Sequence, residues 1–381
     1  MTEKLYTIFI SLLILLGLLF YEILHIKFID ELLVAILCLY TYLLRLKTHK
    51  QFSKEFFFFI IIVIFYLVYS INIGITSVKA ILYDFQQQIK PFMVFYCTTY
   101  LKPQFNKKQK KILINVCILA ALITICALPH TISTTSFMGG HITLLSSLAV
   151  SLFCLLYYLK GKRDMQSFSI LSLGLFSTRS KFFSVYTFSS ILLLLHKKVN
   201  IFNIKVIFFI GIIALFLVKF VIWDKFNFYF IEGTKEGSEI LRPLFYITSF
   251  KIFQDYFPFG SGFATFSNNA SGVFYSPLYY KYDLWQIWGC EPSNPMFVAD
   301  TFYPNLAQFG VIGAFFFFYF IYKRFKEINH IRNIDKYIVG LIILITISFE
   351  SIADTTILSN RGVLFFLILG LLHNDTYSNA K

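Results

Sequence analysis

Apolar residues run along this chain in blocks of about twenty, separated by short polar and basic segments. A helix that crosses a bilayer core needs roughly 20 apolar residues. Blocks 5–24, 29–46, 56–73, 110–129, 139–159, 201–222 and 303–322 meet that length and predict spanning helices. Segment 80–101 is a less regular candidate, because it holds Asp84, three Gln and Pro91; the pair 337–352 and 357–373 is another. The apolar stretch 167–196 is broken near its centre by Ser177, Thr178, Arg179, Ser180 and Lys181. Block 5–24 follows a single Lys4 and ends without a small-residue cleavage site, so it reads as an uncleaved first span.

The basic residues decide how these blocks are threaded. They cluster at Arg45/Lys47/Lys50/Lys54, Lys102/Lys107/Lys108/Lys110/Lys111, Lys160/Lys162/Arg163, Lys197/Lys198/Lys205 and Lys323/Arg324/Lys326/Arg332/Lys336. If 167–196 is a hairpin of two short spans, there are twelve spans, and all five clusters fall on one side together with Lys4 and Lys381. A single crossing there would put the later clusters on the other side. The excess of Lys and Arg in cytoplasmic loops therefore favours the hairpin and places both termini in the cytoplasm. The expected fold is all-α, a polytopic integral membrane protein with about 12 transmembrane helices and one large external loop. Its parts are nine helices in 1–222, the loop 223–300, three helices in 301–373 and a cytoplasmic tail, 374–381.

Composition agrees: 57% hydrophobic, 20% aromatic, 14% charged, with mean hydropathy +0.69. A soluble domain is about 25% charged, so a soluble enzyme, a disordered chain and a disulfide scaffold are excluded. The net charge of +14 would suggest nucleic acid in a soluble protein. Here most of it lies in the topological clusters, and no nucleic-acid partner is expected. Of the six Cys, only Cys290 lies in a long polar region, without a partner there, which implies no disulfide framework.

The sequence lacks a P-loop, His-Glu-x-x-His, Cys-x-x-Cys and any Asp-x-Asp pair. ATP hydrolysis, zinc chemistry and direct use of a nucleotide sugar are thus disfavoured, and neither metal nor cofactor is expected. The candidate residues lie elsewhere. Arg179 follows a segment of about 13 residues, which rises only about 20 Å; a cation below the membrane surface is costly and usually functional. Its planar fork suits a phosphate, with Lys181 beside it as a point charge; the competing role is a snorkelling span-end Arg. Arg242 precedes Pro243 in an apolar segment, 240–257, that could lie flat on the membrane and meet a headgroup, or be a solvated loop residue. Asp300 stands where the loop returns to the membrane, as a general base or as an N-cap of the next helix. Tyr280, Trp285 and Trp288 belong to a dense aromatic group suited to stacking on sugars, or to an interfacial belt. Arg361 and Asp354 flank the last external turn, with Glu350 as a structural partner for Arg361 or a functional group. His130 and His141 read as structural.

The order of features is more specific than any one of them. A short span ends in Ser-Thr-Arg-Ser (177–180), the loop carries Leu-Arg-Pro (241–243) and Asp-Tyr-Phe-Pro-Phe-Gly-Ser-Gly-Phe-Ala-Thr-Phe (255–266), an acidic residue follows, and then Asn305-Leu306-Ala307-Gln308-Phe309-Gly310-Val311-Ile312-Gly313 leads into an apolar span. Over about residues 168–320 this resembles the O-antigen polymerase and ligase superfamily of bacterial envelope glycan assembly. The resemblance implies a metal-independent glycosyltransferase at the outer face of the bacterial inner membrane, acting on an oligosaccharide carried by undecaprenyl pyrophosphate. It implies catalytic roles for Arg179, Arg242 and Asp300, with sugar or carrier contacts from Lys181, Tyr280, Trp285, Trp288 and Arg361. Membrane lipid, a chain-length regulator and a flippase are the implied partners. Ligases carry a His near the position of Asp300, and residues 223–300 contain no His; this favours the polymerase. A ligase and a lipid-linked oligosaccharide flippase are the alternatives.

Overall fold

Short polar residues at the edges of the apolar blocks set where the helices begin and end. Ser53, Ser77, Asp164 and Asn333 each accept a backbone N–H in the first turn that follows them, which satisfies one of the donors a helix start leaves open. The computed structural model describes residues 2–20, 28–134, 136–137, 140–198, 223, 227–228 and 240–378. In order, these form α1 (Thr2–Leu12, continued by a π-helix, Leu13–Leu19), α2 (Ile29–Thr48), α3 (Lys54–Ile73), α4 (Val78–Leu101) and α5 (Lys107–Thr134). A two-residue ladder follows, β1 (Ser136–Phe137) with β2 (Gly140–His141), antiparallel with Ser136 opposite His141. Then come α6 (Thr143–Lys160), α7 (Met165–Ser172, continued as a 3-10 helix to Ser177) and α8 (Ser180–Leu195). Segment 240–300 holds α9 (Leu241–Asp255), α10 (Asn269–Val273) and α11 (Pro277–Lys281). A 3-10 helix, Pro304–Phe309, leads into α12 (Gly310–His330), followed by α13 (Ile334–Glu350) and α14 (Asn360–Ser378).

The described residues are therefore mostly helical. Among the described residues, five helical stretches are long and apolar enough to cross a membrane: Thr2–Leu19, Lys54–Ile73, Lys107–Thr134, Thr143–Lys160 and Pro304–His330. The expected span 201–222, Lys205, and the loop acids Asp224, Glu232, Glu236 and Glu239 lie outside the described residues.

The irregular segment 80–101 is one unbroken helix, α4, about 36 Å long at 1.5 Å per residue. Its Asp84, Gln88 and Lys90 are buried. It packs along α14, where Val363 to Leu369 are buried and the Phe92 ring lies 5.2 Å from that of Phe366. By contrast α3 buries only Tyr66 and Ser70 and exposes Phe58, Ile61, Ile64 and Val68. A helix apolar on all sides yet exposed in water would be a liability; facing lipid it is not. Between such helices lipid removes most of the hydrophobic drive, so close packing and hydrogen bonds do more of the holding.

Stretch 167–196 is a helical hairpin. The chain reverses at Thr178, whose φ is +52°. Ser172 Oγ lies 3.1 Å from the Tyr186 hydroxyl, and the Arg163 guanidinium donates to the carbonyl of Leu193 at 3.1 Å near the open end. Arg179 stands at the closed end.

The described residues of the basic clusters share one end of the bundle. There Glu55 accepts from Lys323 and Arg324, Lys336 pairs with Asp375 at 2.8 Å, His196 meets Asp335 at 2.9 Å, and Lys50 donates to the carbonyl of Tyr100. Arg324 is 2% exposed, and its guanidinium lies over the rings of Phe95 and Phe320.

Segment 240–300 is tied down at the opposite end of the bundle. Asp84 Oδ2 accepts from the Ala264 N–H at 2.7 Å and from Asn268 Nδ2 at 3.2 Å, while Ser70 Oγ accepts from the Phe263 N–H at 2.8 Å. Gly260 has φ +82°, and a Cβ there would come within 2.2 Å of the Gly310 nitrogen. The Pro-Phe-Gly-Ser-Gly turn thus packs backbone against the start of α12. Behind it α9 exposes Ile247 and Phe250, and Phe257 just past its end is exposed as well, an apolar side beside the helix that carries Arg242.

Candidate functional site

Four segments far apart in sequence bring charged side chains together at the end of the bundle away from the basic clusters. The closed end of the hairpin supplies Arg179 and Lys181. The first turn of α9 supplies Arg242. Asp300 comes from the chain before the 3-10 helix, Asp354 from the turn between α13 and α14, and Arg361 from the first turn of α14. The ladder before α6 adds His141.

Arg242 Nη2 donates to Asp300 Oδ2 at 2.8 Å. Both side chains are partly exposed. Burial raises the Asp300 carboxyl above its ordinary range, and Arg242 counters only part of that. Asp300 caps no helix through this bond; the 3-10 helix at Pro304 starts after Tyr303, without a side-chain cap. The N-cap alternative is thereby corrected.

Arg179 Nη2 lies 3.0 Å from His141 Nε2. A guanidinium has no acceptor, so Nε2 accepts and the imidazole is neutral; its Nδ1 lies 2.8 Å from Thr143 Oγ1 and 3.4 Å from the Thr143 backbone nitrogen. Partial burial and the adjacent Arg179 cation lower the His141 pKa. Arg179 Nε is buried and has no hydrogen-bond partner among the described residues.

Asp354 sits between two cations. Its Oδ2 accepts from Lys181 Nζ at 3.2 Å and its Oδ1 from Arg361 Nη2 at 3.4 Å. Burial opposes ionisation, but Arg361 and then Lys181 outweigh it and hold the carboxyl down at about 2. Lys181 also donates to the Ala353 carbonyl at 2.8 Å, and Arg361 to Ser147 Oγ at 2.7 Å. Glu350 is buried and accepts from Thr356 Oγ1 at 2.6 Å; the direct partner of Arg361 is Asp354, not Glu350.

Arg179, Lys181, Arg242 and Arg361 thus face Asp300, Asp354 and Glu350, four cations to three carboxylates, beside a neutral imidazole. Guanidinium forks of this kind recognise phosphate oxygens, and the surplus cation favours an anion. Among the described residues no group of three His, Cys, Asp or Glu side chains is placed to hold a metal ion.

The aromatic group lies on another part of segment 240–300. Tyr280 is 5.3 Å from Tyr275 and 5.9 Å from Trp285, and Trp288 is 4.9 Å from Phe297, all as ring centroids. Tyr280, Trp285 and Trp288 are exposed. Their contacts are with other rings of that segment rather than with the charged cluster.

Sequence reasoning missed the place of His141 in this cluster, because nothing local couples a residue of the ladder to one 38 positions on. It missed the Asp354 bridge for the same reason, although Asp354 and Arg361 were visible at one turn. No protein-family model and no curated protein sequence matches the chain.

Proposed function

We propose that this chain is a membrane glycosyltransferase of the O-antigen polymerase kind, which joins lipid-linked oligosaccharide repeat units at the outer face of a bacterial inner membrane. The observation that carries the reading is one cluster in which Arg242 bonds Asp300, Lys181 and Arg361 hold Asp354, and Arg179 meets His141, at the end of the bundle remote from the basic clusters. In this account the chain has twelve spans, with the described hairpin as the seventh and eighth. The basic end and both termini are cytoplasmic, and 223–300 is external.

In the transfer, a hydroxyl oxygen of the acceptor sugar attacks C1 of the donor glycan. The bond from C1 to the pyrophosphate oxygen breaks, and the electron pair leaves with undecaprenyl pyrophosphate. The acceptor's proton goes to the Asp300 carboxylate, whose raised pKa suits a general base. Arg179 and Arg242 hold the departing pyrophosphate, and Lys181 and Arg361 add positive charge behind them. Fixed cations aimed at developing charge are the principal catalytic effect. Arg242 links the two events: when it turns to the pyrophosphate it leaves Asp300, and a carboxylate relieved of a cation is a stronger base. Tyr280, Trp285 and Trp288 offer exposed rings to the growing glycan, outside the reacting centre. No metal or soluble cofactor takes part in this scheme.

The ligase reading has one observation in its favour. His141, neutral and bonded to Arg179, supplies the imidazole that the external loop lacks. A deletion strain separates the readings. Loss of a polymerase leaves surface lipid carrying a single repeat unit. Loss of a ligase leaves unmodified lipid core while lipid-linked polymer accumulates, and loss of a flippase traps single units on the cytoplasmic face. A normal ladder of chain lengths after deletion would overturn the proposal.

A further inference from the structure

Beside the charged cluster lies a cavity of ≈ 370 Å³ whose wall mixes polar side chains with Leu18, Leu144, Leu148 and Leu358. Arg361 belongs to both, and Ala299 and Thr355, the neighbours of Asp300 and Asp354, form part of its wall. Tyr83 and Asn269 also line it, joined by a 3.0 Å bond from Asn269 Nδ2 to the Tyr83 hydroxyl. Asp30, Glu31 and Lys90 line it from α2 and α4.

This acid–base triad is unusual. Lys90 Nζ donates to Asp30 Oδ2 at 2.5 Å and to Glu31 Oε1 at 2.8 Å. Asp30 is 1% exposed, and its carboxyl meets that of Glu31 as well as the Lys90 ammonium. With Gln87, Tyr83, Asn269 and Arg361 on the same wall, the cavity offers a ligand both donors and acceptors. Charge selects its class. The carboxylates of Asp30 and Glu31 are matched by Lys90 and Arg361, so the lining favours neither an anion nor a metal cation. An apolar chain would leave these polar groups without hydrogen bonds. A neutral molecule with several hydroxyls satisfies carboxylates, ammonium and amides together, because each hydroxyl both donates and accepts.

We infer that this cavity binds a neutral sugar of the acceptor glycan, with Asp30, Glu31 and Lys90 gripping its hydroxyls and Asn269 closing over it from the external loop. The inference rests on the glycosyl-transfer reading for its choice of ligand. The cavity adjoins Asp300, so a sugar held in it presents a hydroxyl towards the base and the arginines.

The test uses the full-length protein in nanodiscs. Its probes are the repeat-unit oligosaccharide released from its carrier by mild acid, and undecaprenyl pyrophosphate without sugar. The free oligosaccharide should bind the native protein, and Glu31→Gln and Asn269→Ala should each weaken it at least about fivefold, with the melting temperature and bare-carrier affinity unchanged. Glu31→Gln keeps the shape of the side chain, and Asn269 is exposed, so one of the pair tests the site even where the other disturbs the fold. Oligosaccharide binding that neither variant alters, or no binding to the native protein, overturns the inference. If the oligosaccharide binds as expected but the bare carrier does not, the sugar site stands and the pyrophosphate assignment falls. If the carrier binds in an Arg179-dependent way while oligosaccharide binding ignores both variants, the pyrophosphate assignment stands and the sugar site falls.

Discussion

At the scale of single residues, the site is organised by pairs that hold each other in opposite states of readiness. Asp300 has a pKa raised by burial, and Asp354, between Lys181 and Arg361, has one lowered to about 2. The first suits a group that takes up a proton, the second a permanent anion that positions cations. If Asp300 is the base, transfer fails as pH falls through its pKa. The acid limb of the pH–activity profile should then lie above the ordinary carboxylate range of about 4. Asp300→Asn should lower the rate about 100-fold or more and remove that limb, as measured by polymerisation of purified lipid-linked repeat units. Asp354 makes a separate prediction about stability. A folded-state pKa below the unfolded one contributes stability that is present above about pH 4 and is lost as pH falls towards about 2. Thermal melting in detergent should show that loss in the native protein, on the order of 2 kcal/mol. Asp354→Asn should melt lower at neutral pH and lack that part of the acid dependence.

At the scale of elements, the hairpin and the docked external segment place these residues. The hairpin could be inferred from charge alone, because only a double crossing keeps Lys197, Lys198 and the 323–336 cluster with the other basic residues. The helical blocks were likewise legible in their length and hydropathy. What the sequence concealed were meetings across long separations: Arg179 with His141, Asp84 with Ala264 and Asn268, and Lys90 with Asp30 and Glu31. Local periodicity tells a helix which face is apolar, but it does not say which polar group will stand opposite a buried one. Asp84 made segment 80–101 look like an irregular span, when it is the anchor of the external segment. The Gly260 contact makes the docking testable. Gly260→Ala places a Cβ against the Gly310 backbone at positive φ, and should destabilise the protein by about 3 kcal/mol or more. Limited proteolysis should cut within 240–300 much faster than in the native protein; an unchanged digestion pattern would show that this docking is not what holds the segment.

At the scale of the whole molecule, the two ends have different characters. One carries the basic clusters with an internal mesh of ion pairs, and the other carries the small group of cations facing Asp300 and Asp354. The proposed topology puts the first in the cytoplasm and the second outside. It predicts that Val273→Cys, in a background stripped of native Cys, reacts with an impermeant maleimide in intact spheroplasts, and that Lys326→Cys reacts only after lysis. Both side chains are exposed, so labelling of the two from the same side would reverse or break the topology. The central claim is that the external arginines drive glycan transfer from a pyrophosphate carrier, and its most direct test is the ladder of polymer lengths in a deletion strain complemented with Arg179→Ala or Arg242→Ala. Each variant, present in the membrane at the native level, should yield surface lipid with single repeat units and little or no ladder, the result of losing about 100-fold or more in rate. A full ladder from both variants would contradict the account.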